Sequence, residues 1–483
     1  MAALAHVTEL LAMTSSADPW RLSAAEASAL LARRELSPVD LVESVLARIE
    51  AVNPALNAIV ALDADGARAA AAASAARHAA GAPLGPLDGI PLTVKDNILV
   101  AGLPAVWGSN LYRDHVPEAD ELPVARLRAA GMVVLGKTNV PEFTLQGYTD
   151  NRVFGPTRNP WNTDLTPGGS SGGGVAAVAS GMGPVALGTD GGGSIRRPAS
   201  HTGLVGLKPS IGLVARCDSL PQILLDCEVI GPLTRTVADA ALLTAHMSGA
   251  DVRDPLSRWA APLSPVDLSP PPPLRILYVP RFGDNPVDPA IAAACAAAAA
   301  RFAALGHAVE EGPVPFDVDS LTELWGVIGQ AAVAWLLDAH PGREAEVGES
   351  YPPMAEAGRA TGAARYLDMM LRIAAFRRHT AELFERVDVV MTPSAAALPW
   401  PAATPFPPEI DGRPVGPRGH AVFTNWVNIA GHPGLNLPAD PDPATGLPIG
   451  FQLVGGFGRD GLLLRLGAQY EAAHPFAQRR PPI

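Results

Sequence analysis

Cysteine is nearly absent from this 483-residue chain: Cys217, Cys227 and Cys295 are too few for a disulfide framework and lack metal-ligand spacing. Charge is also scarce, with 17% Asp, Glu, Lys and Arg against 48% hydrophobic residues, which excludes a disordered chain. Basic clusters are missing: nothing longer than pairs such as Arg33-Arg34 occurs, and the formal net charge is −12, so a free-standing nucleic-acid binder is not expected. No apolar run reaches the ~20 residues that a membrane helix needs. The opening MAALAHVTELLAMTSS lacks the basic start and cleavage pattern of a signal peptide. No internal repeat stands out. These absences leave a soluble protein of a reducing compartment, expected in the cytoplasm, without metal or cofactor and without nucleic acid or membrane as partner.

What is present is an ordered alternation. Ser23 can cap a helix over Ala24 to Arg34, and Ser37-Pro38 opens a second one to about Val52, a cap followed by proline in the first turn. Ala64 to Ala80 reads as a third, so residues 1–80 form an N-terminal helical segment. The texture then changes. Gly89 to Lys95 reads as a turn into a short buried strand ending at Lys95, and Met132 to Leu135 and Pro184 to Leu187 are further strands. Helices over Pro123 to Ala130 and Val175 to Ser180 alternate with them, which predicts an α/β sheet covered on both faces. After the rigid spacer Pro270 to Pro273, the strand Leu274 to Val279, an alanine helix opened by Asp288-Pro289 and a strand from His307 to Val309 make a βαβ unit. Residues 317–386 read as a helical cover over one side, with late strands at Val387 to Met391 and Gly450 to Val454. The proline spacer suggests a boundary, yet the same texture on both sides suits one continuous sheet equally well.

Three glycine-rich stretches compete as sites. Gly131-Met-Val-Val-Leu-Gly136-Lys137-Thr138 has phosphate-loop spacing, but a phosphate loop must turn between its glycines, and Met-Val-Val-Leu is β-forming. Gly168-Gly-Ser170-Ser171-Gly172 has the spacing of a nucleophile elbow, but Asn159 to Pro167 carries two prolines and no strand to lead into it. In Leu187-Gly-Thr-Asp190-Gly191-Gly192-Gly193-Ser194-Ile-Arg196 the strand does come first. Three bare glycines before a serine suit an oxyanion hole, in which fixed N–H donors face a developing negative charge; a capped glycine turn fits the same residues. Ser194 would need a base. His201 lies two helical turns away and is better placed for a structural role, so a non-histidine base is considered.

Taken together, Gly89-Ile-Pro-Leu-Thr-Val-Lys95-Asp-Asn97, Gly136-Lys-Thr-Asn139, Gly168-Gly-Ser-Ser-Gly-Gly173 and Gly188-Thr-Asp-Gly-Gly-Gly-Ser-Ile-Arg196 resemble the amidase signature family. So do the 24-residue spacing from Ser170 to Ser194, Gly203-Leu-Val-Gly-Leu-Lys-Pro209, and Gly446-Leu-Pro-Ile-Gly-Phe-Gln-Leu-Val-Gly455. The resemblance runs from the Ser37-Pro38 helix almost to the end of the chain. It implies one domain over residues 1–483, with a mixed central β-sheet covered on both faces by α-helices and a catalytic core at about residues 81–265. It also implies hydrolysis of the C–N bond of a small carboxamide through a Ser-cisSer-Lys triad of Ser194, Ser170 and Lys95. The N–H groups of Gly191, Gly192, Gly193 and Ser194 become the oxyanion donors, Asp190 and Arg196 fix the loop, and Ser171 supplies a structural hydrogen bond.

Lys95 must then be neutral, and lowering a lysine pKa by about three units costs roughly 4 kcal/mol, which burial can supply. Asp96 would oppose this unless it faces the other way, as a neighbouring strand residue should. The amide-hydrolysing component of a tRNA-dependent amidotransferase would carry the same residues and is the alternative. The expected partner is a small-molecule amide, with a homodimer left open. Two departures stand out from the family pattern: Trp107, which would favour a flat or apolar acyl group if it borders the pocket but reads equally well as an ordinary buried aromatic, and the bare Gly191, which could widen the space beside Ser194. Arg359, Tyr366, Trp400 and Trp426 are further candidates for the pocket wall.

Overall fold

A computed structural model describes residues 18–263 and 266–483; the reading of the first sixteen residues lies outside them. The backbone begins with helices where capping chemistry demands them. Ser23 and Glu26 form a reciprocal capping box at the start of the helix Ala24–Ala32, and the Ser37 hydroxyl accepts from the Val39 N–H ahead of the helix Pro38–Leu56. Asp63 caps Ala64–Ala79 in the same way.

The strands are β1 (Ile59–Leu62), β2 (Pro91–Lys95), β3 (Val133–Thr138), β4 (Val185–Asp190), β5 (Val205–Lys208), β6 (Val229–Thr234), β7 (Arg275–Tyr278), β8 (Ala308–Glu311) and β9 (Val389–Pro393). A two-residue pair, β10 (Glu409–Ile410) and β11 (Arg413–Pro414), is followed by β12 (Gly434–Pro438) and β13 (Gly450–Gly455). Eleven of them form one sheet in the order β1-β3-β2-β4-β6-β5-β12-β13-β9-β7-β8. Pairing is parallel at β2/β3, β2/β4, β7/β8 and β7/β9, and antiparallel at the other junctions of the eleven. The sheet is therefore mixed, as expected, and it runs without a break across the Pro270 to Pro273 spacer. Its edge strand β8 is short and mostly exposed, while β2, β3, β4, β6, β9, β12 and β13 are buried throughout.

The phosphate-loop spacing dissolves here. Its apolar residues lie in β3, and Gly136, at φ +156°, is needed because the Ala61 carbonyl oxygen of β1 lies 2.1 Å from where a Cβ would sit. Lys137 is buried and donates to the carbonyls of Asp96 at 2.8 Å and Pro104 at 3.2 Å. Both lysines at the C-terminal ends of the parallel pair β2/β3 thus point into protein.

Residues 317–386 are mainly the helices Val318–Asp338, Tyr351–Arg359 and Ala363–Arg386. Among the described residues, Ser320–Asp338 alone is long and apolar enough to cross a membrane by length and composition; about half of it, 56%, is buried inside the protein.

Candidate active site

Two turns meet above the ends of β2 and β4. The first carries Ser170, whose peptide bond from Gly169 is cis, and leads into the helix Gly172–Ser180. Glycine at 173 is required, since a Cβ there would lie 2.3 Å from the Asn139 nitrogen and 2.6 Å from the Ala58 oxygen. The second turn, Gly191 to Ile195, leaves β4 for the helix Arg196–Thr202. The Ser171 N–H donates to the Ser194 carbonyl at 3.2 Å, which ties the turns together.

Lys95 ends β2 beneath both and is fully buried. Its Nζ lies 2.8 Å from Ser170 Oγ, 2.8 Å from Thr189 Oγ1 and 3.2 Å from the Thr189 carbonyl. Burial lowers its pKa from 10.5 to about 7, with Arg216 acting in the same direction against Glu228, Asp190 and Asp96. The Asp96 carboxyl turns away to accept the Val106 N–H at 3.3 Å, and burial raises it while Lys137 draws it down. Ser171 Oγ donates to the Thr189 carbonyl at 3.2 Å. Thr189 had not been singled out, although it stands beside Asp190 in the glycine run.

Asp190 and Arg196 are buried face to face, Nε to Oδ2 at 3.0 Å and Nη2 to Oδ1 at 2.9 Å. Burial opposes the Asp190 carboxylate, but the Arg196 guanidinium and Asn428 hold it well below the usual carboxylate range. Asn428 donates to its carbonyl at 2.8 Å and to Oδ1 at 2.9 Å. The Asp190 carboxylate also accepts the N–H groups of Gly193 at 2.7 Å and Ile195 at 3.1 Å. This corrects the expected donor set: Gly193 is already committed, because an anionic side chain three residues back caps the turn. The N–H groups of Gly191, Gly192 and Ser194 take no partner among the described residues. The Gly192 carbonyl is held by Thr424 Oγ1 at 2.8 Å and by Arg197 Nη1, two residues no local signal marks.

A cleft of about 1080 Å³ opens over Gly192, walled by Phe282, Phe316, Trp325, Gln330, Met354 and Arg418 among others. Residues 317–330 and Met354 of the helical cover, residues 413–425 and the turn at 282–286 supply most of this wall. Ser194 is 7% exposed. Gly191 does not widen the space, because Leu224 fills it: a Cβ at Gly191 would lie 2.6 Å from Leu224 Cδ1. Trp107 is a core residue, edge-on to Tyr112 and Phe143, and is absent from the cleft wall. So are Arg359, Tyr366, Trp400 and Trp426. His201 is buried, its ring bonded to the Ala397 carbonyl at 3.1 Å, with its pKa lowered by burial to about 4, so its role is structural. No cluster of metal-ligating side chains occurs among the described residues.

The amidase family model matches residues 40–464. The acylamidase of Rhodococcus erythropolis is 37% identical, over 97% of this chain and 98% of its own. A glutamyl-tRNA(Gln) amidotransferase subunit of Synechococcus sp. (strain WH7803) is 36% identical, over 93% and 97%. The crystal structure of a bacterial aryl acylamidase of the amidase signature family superposes with a TM-score of 0.87 at 32% identity, covering 95% of this chain and 97% of that one. The chain belongs to the amidase signature family of hydrolases, which act on amide C–N bonds.

Proposed function

We propose that the enzyme is a cytoplasmic, single-domain amidase that cleaves a small carboxamide through an acyl-enzyme on Ser194. The observation that carries this reading is a fully buried lysine, its pKa near 7, 2.8 Å from the Ser170 hydroxyl. Neutral Lys95 takes the proton of Ser170 as Ser170 takes that of Ser194, and the Ser194 oxygen attacks the carbonyl carbon. Charge develops on the carbonyl oxygen, where the unpaired N–H groups of Gly191, Gly192 and Ser194 can meet it. Asp190 and Arg196 keep that turn in shape. The tetrahedral adduct collapses as Ser170 passes a proton to the leaving nitrogen and regains one from Lys95. Water then adds to the ester by the same relay, releasing the acid and freeing Ser194.

The test is a panel of aliphatic, aryl and amino-acid amides, with the intermediate trapped and mapped by mass spectrometry. The acyl group is expected on the peptide containing Ser194; attachment elsewhere overturns the nucleophile assignment. A second reading, the amide-hydrolysing component of a tRNA-dependent amidotransferase, is supported by the 36% identity to a subunit of such an enzyme. Hydrolysis of simple amides by the chain purified alone favours the stand-alone enzyme, and light scattering of the same sample tests for a homodimer.

A further inference from the structure

Two guanidinium groups on the Gly192 side of the cleft have no carboxylate partner among the described residues. Arg197 is 2% exposed; Nη1 holds the Gly192 carbonyl and Thr424 Oγ1, the latter at 2.8 Å, while Nε has no partner. Arg418 lines the same cleft as Gly192 and makes one hydrogen bond, from Nη2 to the Leu145 carbonyl at 3.3 Å. Neither forms an ion pair among the described residues. The neighbouring acids are occupied. Asp190 is taken by Arg196, Asn428 and backbone N–H groups, and Glu142 accepts from Ser109 Oγ at 2.7 Å and the Gly348 N–H at 2.8 Å. Two more acids stand on the cleft wall: Asp284, and Asp317, whose carboxylate accepts the Ser320 N–H at 3.4 Å. His201 and His420 on this side are kept neutral by burial, with the Arg197 charge acting in the same direction.

Arg197 is held out of water with no carboxylate beside it among the described residues, which is costly for a cation. Here burial, then repulsion from Arg418, lowers the Arg197 pKa to about 9, while Arg418 itself is exposed on the cleft wall, where a ligand can reach it. The planar fork of arginine suits a carboxylate. We propose that Arg418, backed by the charge of Arg197, is an anion subsite of the cleft, and that the enzyme prefers amides carrying a carboxylate remote from the scissile bond. The inference rests on the amidase reading of the same site and deepens it. The cleft, at about 1080 Å³, is at the large end of ligand pockets, which run to about 1,000 Å³, so it has room beyond a minimal amide.

Two substrate pairs test the proposal. With charge on the acyl side, N-(4-nitrophenyl)succinamic acid is compared with N-(4-nitrophenyl)pentanamide; with charge on the amine side, 4-acetamidobenzoate is compared with 4-methylacetanilide. In at least one pair kcat/KM is expected to favour the carboxylate about tenfold, a charge-assisted hydrogen bond's worth. Arg418→Gln should remove that preference, Arg418→Lys should restore part of it, and rising salt should weaken it. Arg413→Gln, a change at another arginine of the cleft wall, should leave the ratio unaltered. Hydrolysis of the neutral amides with no charge preference overturns the subsite alone, as does an unchanged ratio in Arg418→Gln or an equal loss in Arg413→Gln. Failure to hydrolyse any of the four overturns the amidase reading with it.

Discussion

The cleft has a floor and a roof built on different terms. On the floor, every residue from Thr166 to Thr202 is buried, and the side chains are mostly absent or short. The roof belongs to a helical cover in which Val318–Asp338 and Tyr351–Arg359 line the cleft, and this cover keeps large apolar side chains in solvent, with Trp335 53%, Leu367 59% and Leu371 62% exposed. Substitutions on the floor meet fixed backbone within a few ångströms, so only a few residue types serve there. The roof asks only for amphipathic helices, and many sequences satisfy that. Chemistry should therefore fail when the floor changes, while preference should drift when the roof does.

The largest effects should come from the floor. Ser194→Ala and Lys95→Ala are each expected to lower kcat by about 10³-fold or more, with circular dichroism and thermal unfolding unchanged. Appreciable turnover by Lys95→Ala at neutral pH would break the relay. Because the neutral amine is the base and its pKa is held near 7, kcat/KM should rise with pH through about 7 and level off above it. A profile flat from pH 5 to 9 would contradict that. Next comes Asp190→Asn, which leaves Arg196 buried and charged without its partner; urea denaturation should report a loss of about 3–5 kcal/mol. On the roof, Trp325→Ala should shift the ratio of kcat/KM between aryl and alkyl amides about tenfold, near 1.4 kcal/mol, while the acyl-enzyme still maps to Ser194. A loss of kcat as deep as that of Ser194→Ala would erase the distinction between floor and roof. The smallest effect is expected from Gly191→Ala, about 1 kcal/mol of overpacking against Leu224, relieved by adding Leu224→Ala.

The same contrast governs what could be read in advance. Caps at Ser23 and Ser37 and the turn into β2 are local events, and they lie where the residues indicated. Strands β1, β5, β6 and β12 escaped notice because they are held by partners distant in sequence; β1 is half-exposed as well. The phosphate-loop spacing misled in form only: Gly136 answers to a crossing carbonyl from β1, and the apolar residues before it were correctly a strand. Thr424 and Asn428, which hold the Gly192 carbonyl and Asp190, lie more than 200 positions downstream, and no spacing rule connects them to the turn. The choice between wall and core for Trp107, and between open and filled space at Gly191, was decided in the same way, since Phe143 and Leu224 set what surrounds them.

The sequence by itself determined the ingredients. A lysine closes an apolar strand, two serines sit in glycine turns 24 residues apart, and an acid and an arginine flank the second turn. Those are local properties of short segments, governed by backbone freedom and strand periodicity. Only the tertiary structure decided which amides stay unpaired, that Gly193 is spent on Asp190, how far Lys95 is discharged, and that Arg197 and Arg418 meet no acid among the described residues. Desolvation and pairing are sums over every neighbour in space, and many of those neighbours are distant in sequence.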